Sequence, residues 1–412
     1  HLLRAHLACG GQALLLSATL GASARDRYLA VARKEAPHLT EPTPFETACK
    51  TPYPCISDRA GPRGLASTAR IKPVIWSTTD DMDDPERIAR MAIHAASVGA
   101  KVLIIRNTVP AAIELLRALE VLCPRRDWLF SLEGVVTLHH SRFSRQDRPL
   151  LDAAVEARIG KHRPPGALIL VGSQTLEQSL DLDADLLITD LCPMDVLLQR
   201  IGRLHRHDRP SGERPLSYRQ ARVAVLTPPE HDLTPMLTRP AHGLGRFREG
   251  GGVYPDLRAV EATRRLIDEQ NQVEIPRDNR RLVESATHPE RLNAVADALG
   301  ENWHRLGQDI AGDTGAERVI ANLHALETHK SFDEQQGFPT DVDIATRLGV
   351  RDRILLFDPA PMGPFGVPLR QLPMRHYLVP KDLDTDAQPQ QVEEHDGTVE
   401  FTLGGTHYLS LI

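Results

Sequence analysis

Up to about residue 230, short unbroken apolar runs alternate with amphipathic stretches. The runs QALLLSAT (12–19), RIKPVIWST (70–78), KVLIIRN (101–107), GVVTLHHS (134–141), ALILVG (167–172), ADLLITD (184–190) and RVAVLTP (222–228) have the length and β-branched content of buried strands. Between them lie helix patterns. ASARDRYLAVARKEA (22–36) is one. A second opens with Asp84 as cap and Pro85 in the first turn, and stops at Gly99. AAIELLRALEVL (111–122) is a third. Leu151, Val155 and Ile159 recur at i, i+4, i+8 before Gly160, and DVLLQRIGRLHR (195–206) follows. Strands that are apolar on both faces, separated by helices, predict an α/β fold with a parallel sheet covered by helices on both faces.

Beyond residue 230 the pattern changes. Residues 231–253 read as loop, 256–326 as mostly helix, and 339–412 as short strands, including RILLFD, HYLVP, VEFTL and HYLSLI. The segment 380–397 reads as an exposed polar loop. A Pro/Cys/Gly-rich stretch at 43–64 marks a boundary near its end. The expected divisions are 1–64, 65–230, 231–328 and 329–412.

Composition narrows the class. Of 412 residues, 41% are hydrophobic and 25% charged, as in ordinary globular proteins. No apolar run approaches the roughly 20 residues that span a bilayer, so no membrane partner is expected. The chain begins with His and carries no A-x-A-like cleavage site, which reads as the interior of a longer chain rather than a signal peptide. Five scattered cysteines without a C-x-x-C pair predict neither zinc nor a disulfide framework, and favour a cytoplasmic setting. The net charge of −6 does not itself favour nucleic acid. From residue 377 onward, however, seven acids face one base, Lys381, so the remainder is near neutral and local basic surfaces are available.

In open α/β sheets ligands bind at the carboxyl ends of the strands. Five such ends carry polar clusters: Ser17-Ala18-Thr19, Asn107-Thr108, Ser141-Arg142-Phe143, SQTLEQSLDLD (173–183), and the helix with Gln199, Gly202, Arg203 and Arg206 in the spacing Q-x-x-G-R-x-x-R. If that helix is regular at about 100° per residue, Gln199, Arg203 and Arg206 share one face. Gly202 flanks that face and lets a phosphate or another backbone come close, at a cost of roughly 1 kcal/mol in helix propensity. Two guanidiniums on one face suit a polyphosphate; a solvated helix face is the plainer alternative. Thr175 and Gln178 suit a sugar–phosphate backbone and Asp181 a ribose hydroxyl, unless the segment is only a polar loop capped by Ser173. His139-His140 straddles both faces of a strand, so one metal is not expected there, and no metal site is predicted.

These segments resemble the later motifs of superfamily 2 helicases. SAT looks like motif III, VLIIRNTV motif IV, GSQTLEQSLDLDADLLITD motif V and QRIGRLHR motif VI. HHSRF, the DR at 147–148 and QTLEQSLDLDADLLITDLCPMDVLLQRIGRLHRH are similar to the helicase–nuclease of type I CRISPR interference. The resemblance implies RecA-like lobes, with 1–64 the tail of the first, 65–230 the second, 231–328 a helical linker and 329–412 a small α+β accessory domain. It implies that Ser17 and Thr19 couple ATP hydrolysis to DNA movement. It assigns the single-strand backbone to Asn107 or Thr108, Arg142, Thr175 and Gln178. Asp181 lies near the nucleotide, and Gln199, Arg203 and Arg206 reach the ATP phosphates, the arginines as catalytic fingers. ATP with Mg2+ is the implied cofactor, and single-stranded DNA and the RNA-guided CRISPR surveillance complex the implied partners. No G-x-x-x-x-G-K-[ST] and no D-E-x-H box occurs, so the phosphate cradle and the Mg2+ ligands are expected outside this sequence, and the chain alone is expected not to hydrolyse ATP. Another superfamily 2 DNA or RNA helicase, or a nucleic-acid-binding helicase lobe without catalysis, fits the same residues.

Overall fold

The structure is a computed structural model. It describes residues 2–37, 40–66, 69–177, 180–210, 212–246, 252–323, 325, 330–331, 353–375, 378–380, 383–384, 387–395 and 398–410. The expected contact residue Gln178 lies outside the described residues. The chain divides into two compact units. One comprises His1–Asp80, Leu191–Ile201 and Val223–Ile344; the other comprises Asp81–Asp190, Gly202–Arg222 and Ala345–Ile412. The fold is α/β with a parallel-rich sheet, as the apolar strands predict.

The second unit holds the parallel ladder. Lys101–Ile105 lies between Leu168–Gly172 and Leu186–Asp190, parallel to both. All three strands are buried along their whole length, which is why none alternates in sequence. Helices Pro85–Ser97, Val109–Leu122 and Asp147–Ile159 accompany them. Asp84 caps the first helix by accepting from Arg87 N at 2.9 Å, as its position before Pro85 predicts. In the C-terminal part, Arg353–Leu356 pairs with Gln371–Met374. Gln390–His395, Thr398–Leu403 and Thr406–Ser410 form an antiparallel meander. Leu355, Phe357, Leu369, Met374, Val399, Phe401 and Leu403 supply its core. The strand Gln390–His395 falls inside the stretch expected to be loop. Its polar sequence carries no apolar alternation, and pairing with Thr398–Leu403 supplies the strand's hydrogen bonds.

The first unit is richer in helix. Leu257–Glu269, Asn279–Thr287, Pro289–Leu299 and Glu301–Leu323 fill the stretch expected to be helical. Lys72–Thr79 pairs antiparallel with Gln272–Ile275.

Three local expectations are corrected. Residues 12–19 form no strand; Leu14 and Leu16 are 78% and 85% exposed. An apolar run becomes a strand only beside a partner that satisfies its backbone, and none pairs with it among the described residues. In 134–141 only Val135–Val136 is a strand, paired with Ser131–Leu132, and His139 makes a single parallel bridge to Gly172. The helix expected over 195–206 runs Met194–Ile201 and stops before Gly202. Lys72 Nζ donates to Ile201 O at 2.9 Å, where a cation suits a helix C-terminus. Downstream, Ala184 N donates to Arg203 O at 2.9 Å and His205 N to Ala184 O at 3.0 Å. The backbone after Gly202 thus pairs with Ala184 rather than with the helix.

Candidate nucleotide and nucleic-acid site

The helix break separates the motif's members. Gln199 is helical and lies in the first unit, whereas Arg203 and Arg206 follow the break and belong to the second. The helical-face argument therefore does not describe how the arginines are presented. Leu204 bridges Ala184, and His205 takes a positive φ of 47°. Arg203 then turns inward. Its Nε and Nη2 donate to Glu177 O at 3.3 and 2.7 Å, and Nη1 donates to Leu180 O at 2.5 Å. Burial, then the nearby Arg206 charge, push its pKa down from the ordinary guanidinium value. Arg206 stays at the surface, its Nε 2.6 Å from Asp181 Oδ1, with side chains 41% and 42% exposed. His207 Nε2 lies 3.0 Å from the same carboxylate.

Beneath this surface sits a charge cluster that sequence reasoning missed. Asp183 is fully buried and accepts from Arg206 N at 2.8 Å, Arg209 Nε at 2.5 Å and Arg214 Nη2 at 2.7 Å. Asp185 accepts from Arg163 Nη2 at 2.6 Å and from Arg214 Nη1. Burial alone would raise the Asp183 pKa, but Arg214, Arg163 and Arg209 hold it below the usual carboxylate value. Lys101, buried beside Arg163, is pushed down to about 8 by desolvation and then by that like charge. The D-x-D spacing of Asp181, Asp183 and Asp185 was a usable signal, because alternate residues of an extended segment share a face.

At the strand ends, Arg106 Nε pairs with buried Asp190 at 2.7 Å, and Asn107 N donates to the other Asp190 oxygen at 2.7 Å. Asn107 is buried, and Gln174 Nε2 donates to its carbonyl. Thr108 caps the helix Val109–Leu122 by accepting from Ala111 N at 3.3 Å. Its hydroxyl already serves the fold. Ser173 makes no side-chain cap; its carbonyl accepts from Leu176 N at 3.1 Å.

Thr175 meets His139. Its Oγ1 is 2.8 Å from His139 Nδ1 and 3.2 Å from His139 O. His139 Nε2 is 2.7 Å from Asp152 Oδ1, which also accepts from Arg148 Nε at 3.0 Å. A carboxylate can only accept, so Nε2 carries the ring proton, Nδ1 is bare, and Thr175 donates its hydroxyl inward. Burial lowers His139 to about 4 and His140 to about 3, so both are neutral near pH 7. The His140 ring goes elsewhere, stacking on Phe143 at 4.4 Å. Its Nδ1 accepts from Arg142 N at 3.1 Å. The Arg142 side chain is half-buried beside exposed Ser141.

In the first unit, Ser17 and Thr19 sit in an irregular segment held by its backbone. Tyr53 Oη donates to Ala18 O at 2.9 Å, Arg280 Nη1 to Leu20 O at 2.9 Å, and Ala22 N to Glu284 Oε1 at 2.9 Å. Gln199 Nε2 reaches Thr19 Oγ1 at 3.5 Å, a long contact. The NRRLVE stretch (279–284) supplies two of these clamps, Arg280 and Glu284.

For a nucleoside triphosphate, Arg206 has fitting chemistry: an exposed guanidinium whose present partner is a carboxylate that a phosphate can replace. Arg203 already donates from all three nitrogens, to Glu177 O and Leu180 O. For Mg2+ the fit fails: among the described residues no group of three or more His, Cys, Asp or Glu could hold a metal ion. Among those residues no helix is long and apolar enough to cross a membrane.

Residues 98–209 match the family model for the C-terminal part of the CRISPR-associated nuclease/helicase Cas3. The chain is 32% identical over 282 residues to the CRISPR-associated endonuclease/helicase Cas3 of Escherichia coli (strain K12), covering 65% of this chain and 28% of that protein. It is 38% identical over 169 residues to the Thermus thermophilus Cas3, covering 40% of this chain and 17% of that one. The chain thus spans under a third of the length of these relatives. Among solved structures it is similar to T. fusca Cas3 with AMPPNP: TM-score 0.62, 25% identity, 86% of this chain and 40% of the other. A CRISPR RNA-guided surveillance complex in a pre-nicking state gives TM-score 0.63 over 99% of this chain and 53% of that one. At 22% identity that match speaks to the fold alone.

Proposed function

Because the chain is related to the type I CRISPR-associated helicase–nucleases over their C-terminal part, we propose that it works as the second helicase lobe and accessory region of an ATP-driven translocase on single-stranded DNA. The divisions of this reading are those expected from sequence: the tail of a first lobe to residue 64, the second lobe to 230, a helical linker to 328, and the accessory region. The whole protein unwinds foreign DNA and helps degrade it, working with an RNA-guided surveillance complex in the cytoplasm.

The observation that carries this reading is the joining of the 181–185 segment to the 203–214 segment. Buried Asp183 gathers Arg209, Arg214 and the Arg206 backbone N–H, and so presents the Arg206 side chain at the surface beside Asp181. Bound ATP supplies the phosphoanhydride whose hydrolysis drives movement. Arg206, whose present partner Asp181 a phosphate oxygen could replace, would hold a phosphate of the nucleotide, and Asp181 would serve its ribose. Arg203 holds Glu177 O and Leu180 O, next to Thr175 and Gln178, the residues that with Arg142 and the Asn107–Thr108 strand end serve the DNA backbone in this reading. Arg203 therefore links the nucleotide side to the DNA side through one guanidinium. Gln199, by way of Thr19, and Ser17 carry the coupling function.

In the full-length protein Arg206→Ala is expected to lower DNA-stimulated ATP turnover by about 10³-fold or more, the range of an arginine finger, while single-strand affinity holds. Unchanged turnover with lost binding would instead favour a non-catalytic nucleic-acid-binding module.

A further inference from the structure

The segment 17–22 lies on a helix drawn from the stretch expected to be linker. That helix, Asn279–Thr287, grips the segment by its main chain. Arg280 Nη1 donates to Leu20 O at 2.9 Å and to Glu284 Oε1 at 3.2 Å. Glu284 Oε1 accepts in turn from Ala22 N at 2.9 Å. Tyr53 Oη donates to Ala18 O at 2.9 Å, and Asn279 Nδ2 donates to that Tyr53 oxygen at 3.4 Å. The Arg280 and Glu284 side chains are 11% and 1% exposed, so their bonds form out of water, where they are stronger. A Cβ at Gly21 would stand 3.2 Å from Thr287 Oγ1 and 3.6 Å from Val283 Cγ1, and the missing side chain lets the segment lie close. The same helix packs against Met194–Ile201, which carries Gln199. One helix thus touches both the 17–22 segment and the motif helix.

We infer that Arg280 is a positioning residue for coupling: with Glu284 and Tyr53 it fixes the backbone of 18–22 to the helix Asn279–Thr287, which carries displacement between that segment and the helix Met194–Ile201. The inference rests on the reading that Ser17, Thr19 and Gln199 couple ATP hydrolysis to movement on DNA. The direct tie between the two sides is weak, because Gln199 Nε2 reaches Thr19 Oγ1 only at 3.5 Å. The clamp is firmer. Its bonds at 18, 20 and 22 go to main-chain atoms, so a shift of the helix moves the segment as a body instead of one side chain. The Ser17 hydroxyl takes no part in it and accepts from Thr19 N at 3.3 Å. Loosening the clamp therefore leaves the chemistry of Ser17 and Thr19 in place and changes only what moves with them.

The test measures ATP turnover and strand separation together in the full-length protein, on a forked DNA duplex with one labelled strand. Their ratio, base pairs unwound per ATP, reports coupling. Arg280→Met removes the donor to Leu20 O, and Tyr53→Phe removes the donor to Ala18 O. For Arg280→Met, DNA-stimulated turnover is expected to stay within about twofold while the ratio falls about tenfold, the worth of a hydrogen bond to a charged group; Tyr53→Phe should lower the ratio less. A tie that only held the fold would lower turnover and unwinding in proportion. A proportional fall, or an unchanged ratio, in Arg280→Met therefore overturns the inference. Should Arg280→Met not yield folded protein, Tyr53→Phe decides by the same criterion. The double variant Ser17→Ala with Thr19→Ala tests the underlying reading in the same assay and should also lower the ratio. If it does and Arg280→Met does not, the reading stands and the inference alone falls. If the double variant leaves the ratio unchanged, both fall together.

Discussion

Arg203 and Arg206 stand three positions apart in one motif, yet the structure puts them in opposite conditions. Arg203 gives three of its five N–H groups to main-chain carbonyls, while Arg206 faces a carboxylate at the surface. The two should therefore respond differently to Lys. Lysine at 206 retains a point charge, whereas lysine at 203 cannot span Glu177 O and Leu180 O together. Arg203→Lys is expected to loosen the hold on Glu177, seen as faster exchange of its amide, which donates to Gln174 O at 3.0 Å, while Arg206→Lys leaves that exchange unchanged. Asp183 matters for the opposite reason. Its carboxylate faces three guanidiniums in a buried setting, and Asp183→Asn leaves Arg163 and Arg214 to share Asp185 and takes from Arg209 its nearest carboxylate. The loss expected in a urea melt is about 3–5 kcal/mol, as for a broken buried pair. Motif spacing picked out Arg203 and Arg206 as a pair, but which one turns inward was illegible, because it depends on carbonyls more than 20 residues upstream.

The elements that position the site were legible where they were long and buried. The three parallel strands and the cap at Asp84 follow from apolar runs and from chemistry confined to one turn. The misses share a cause: each depended on a partner strand. Residues 12–19 have the sequence of a strand and no ladder among the described residues, and the motif helix stops where Ala184 competes for its backbone. Gly172 shows how tightly such pairing is drawn. A Cβ there would lie 2.5 Å from His139 O. Gly172→Ala should push the His139 segment off the strand Leu168–Gly172, costing about 1–3 kcal/mol by overpacking. Hydrogen exchange at Ser173 N, which donates to His139 O at 3.0 Å, is the local readout, with loss of protection expected.

At the scale of the molecule, acid should act through the two buried histidines. The folded pKa values of about 4 for His139 and about 3 for His140 lie below the ordinary 6.5. The unfolded chain therefore binds protons that the folded one excludes. Their contribution to stability is whole above pH 6.5 and drains as pH falls from there toward 4. For His139 the drained amount is on the order of 3 kcal/mol. Melting temperatures measured across that window should fall less steeply for His139→Asn than for the unaltered chain. The amino-acid sequence by itself determined the α/β class, the parallel strands, the helical stretch after residue 256 and the family resemblance. These rest on local apolar periodicity and on residues a few positions apart, so they survive without knowledge of neighbours. Only the tertiary structure decided that the motif helix breaks at Gly202, that Arg203 is held by Glu177 O and Leu180 O while Arg206 is presented, that the Thr175 hydroxyl donates a hydrogen bond to His139, and that Asp183 gathers the arginines. Each of these is a contest between partners distant along the chain, settled by which backbone or carboxylate the fold brings within hydrogen-bonding reach.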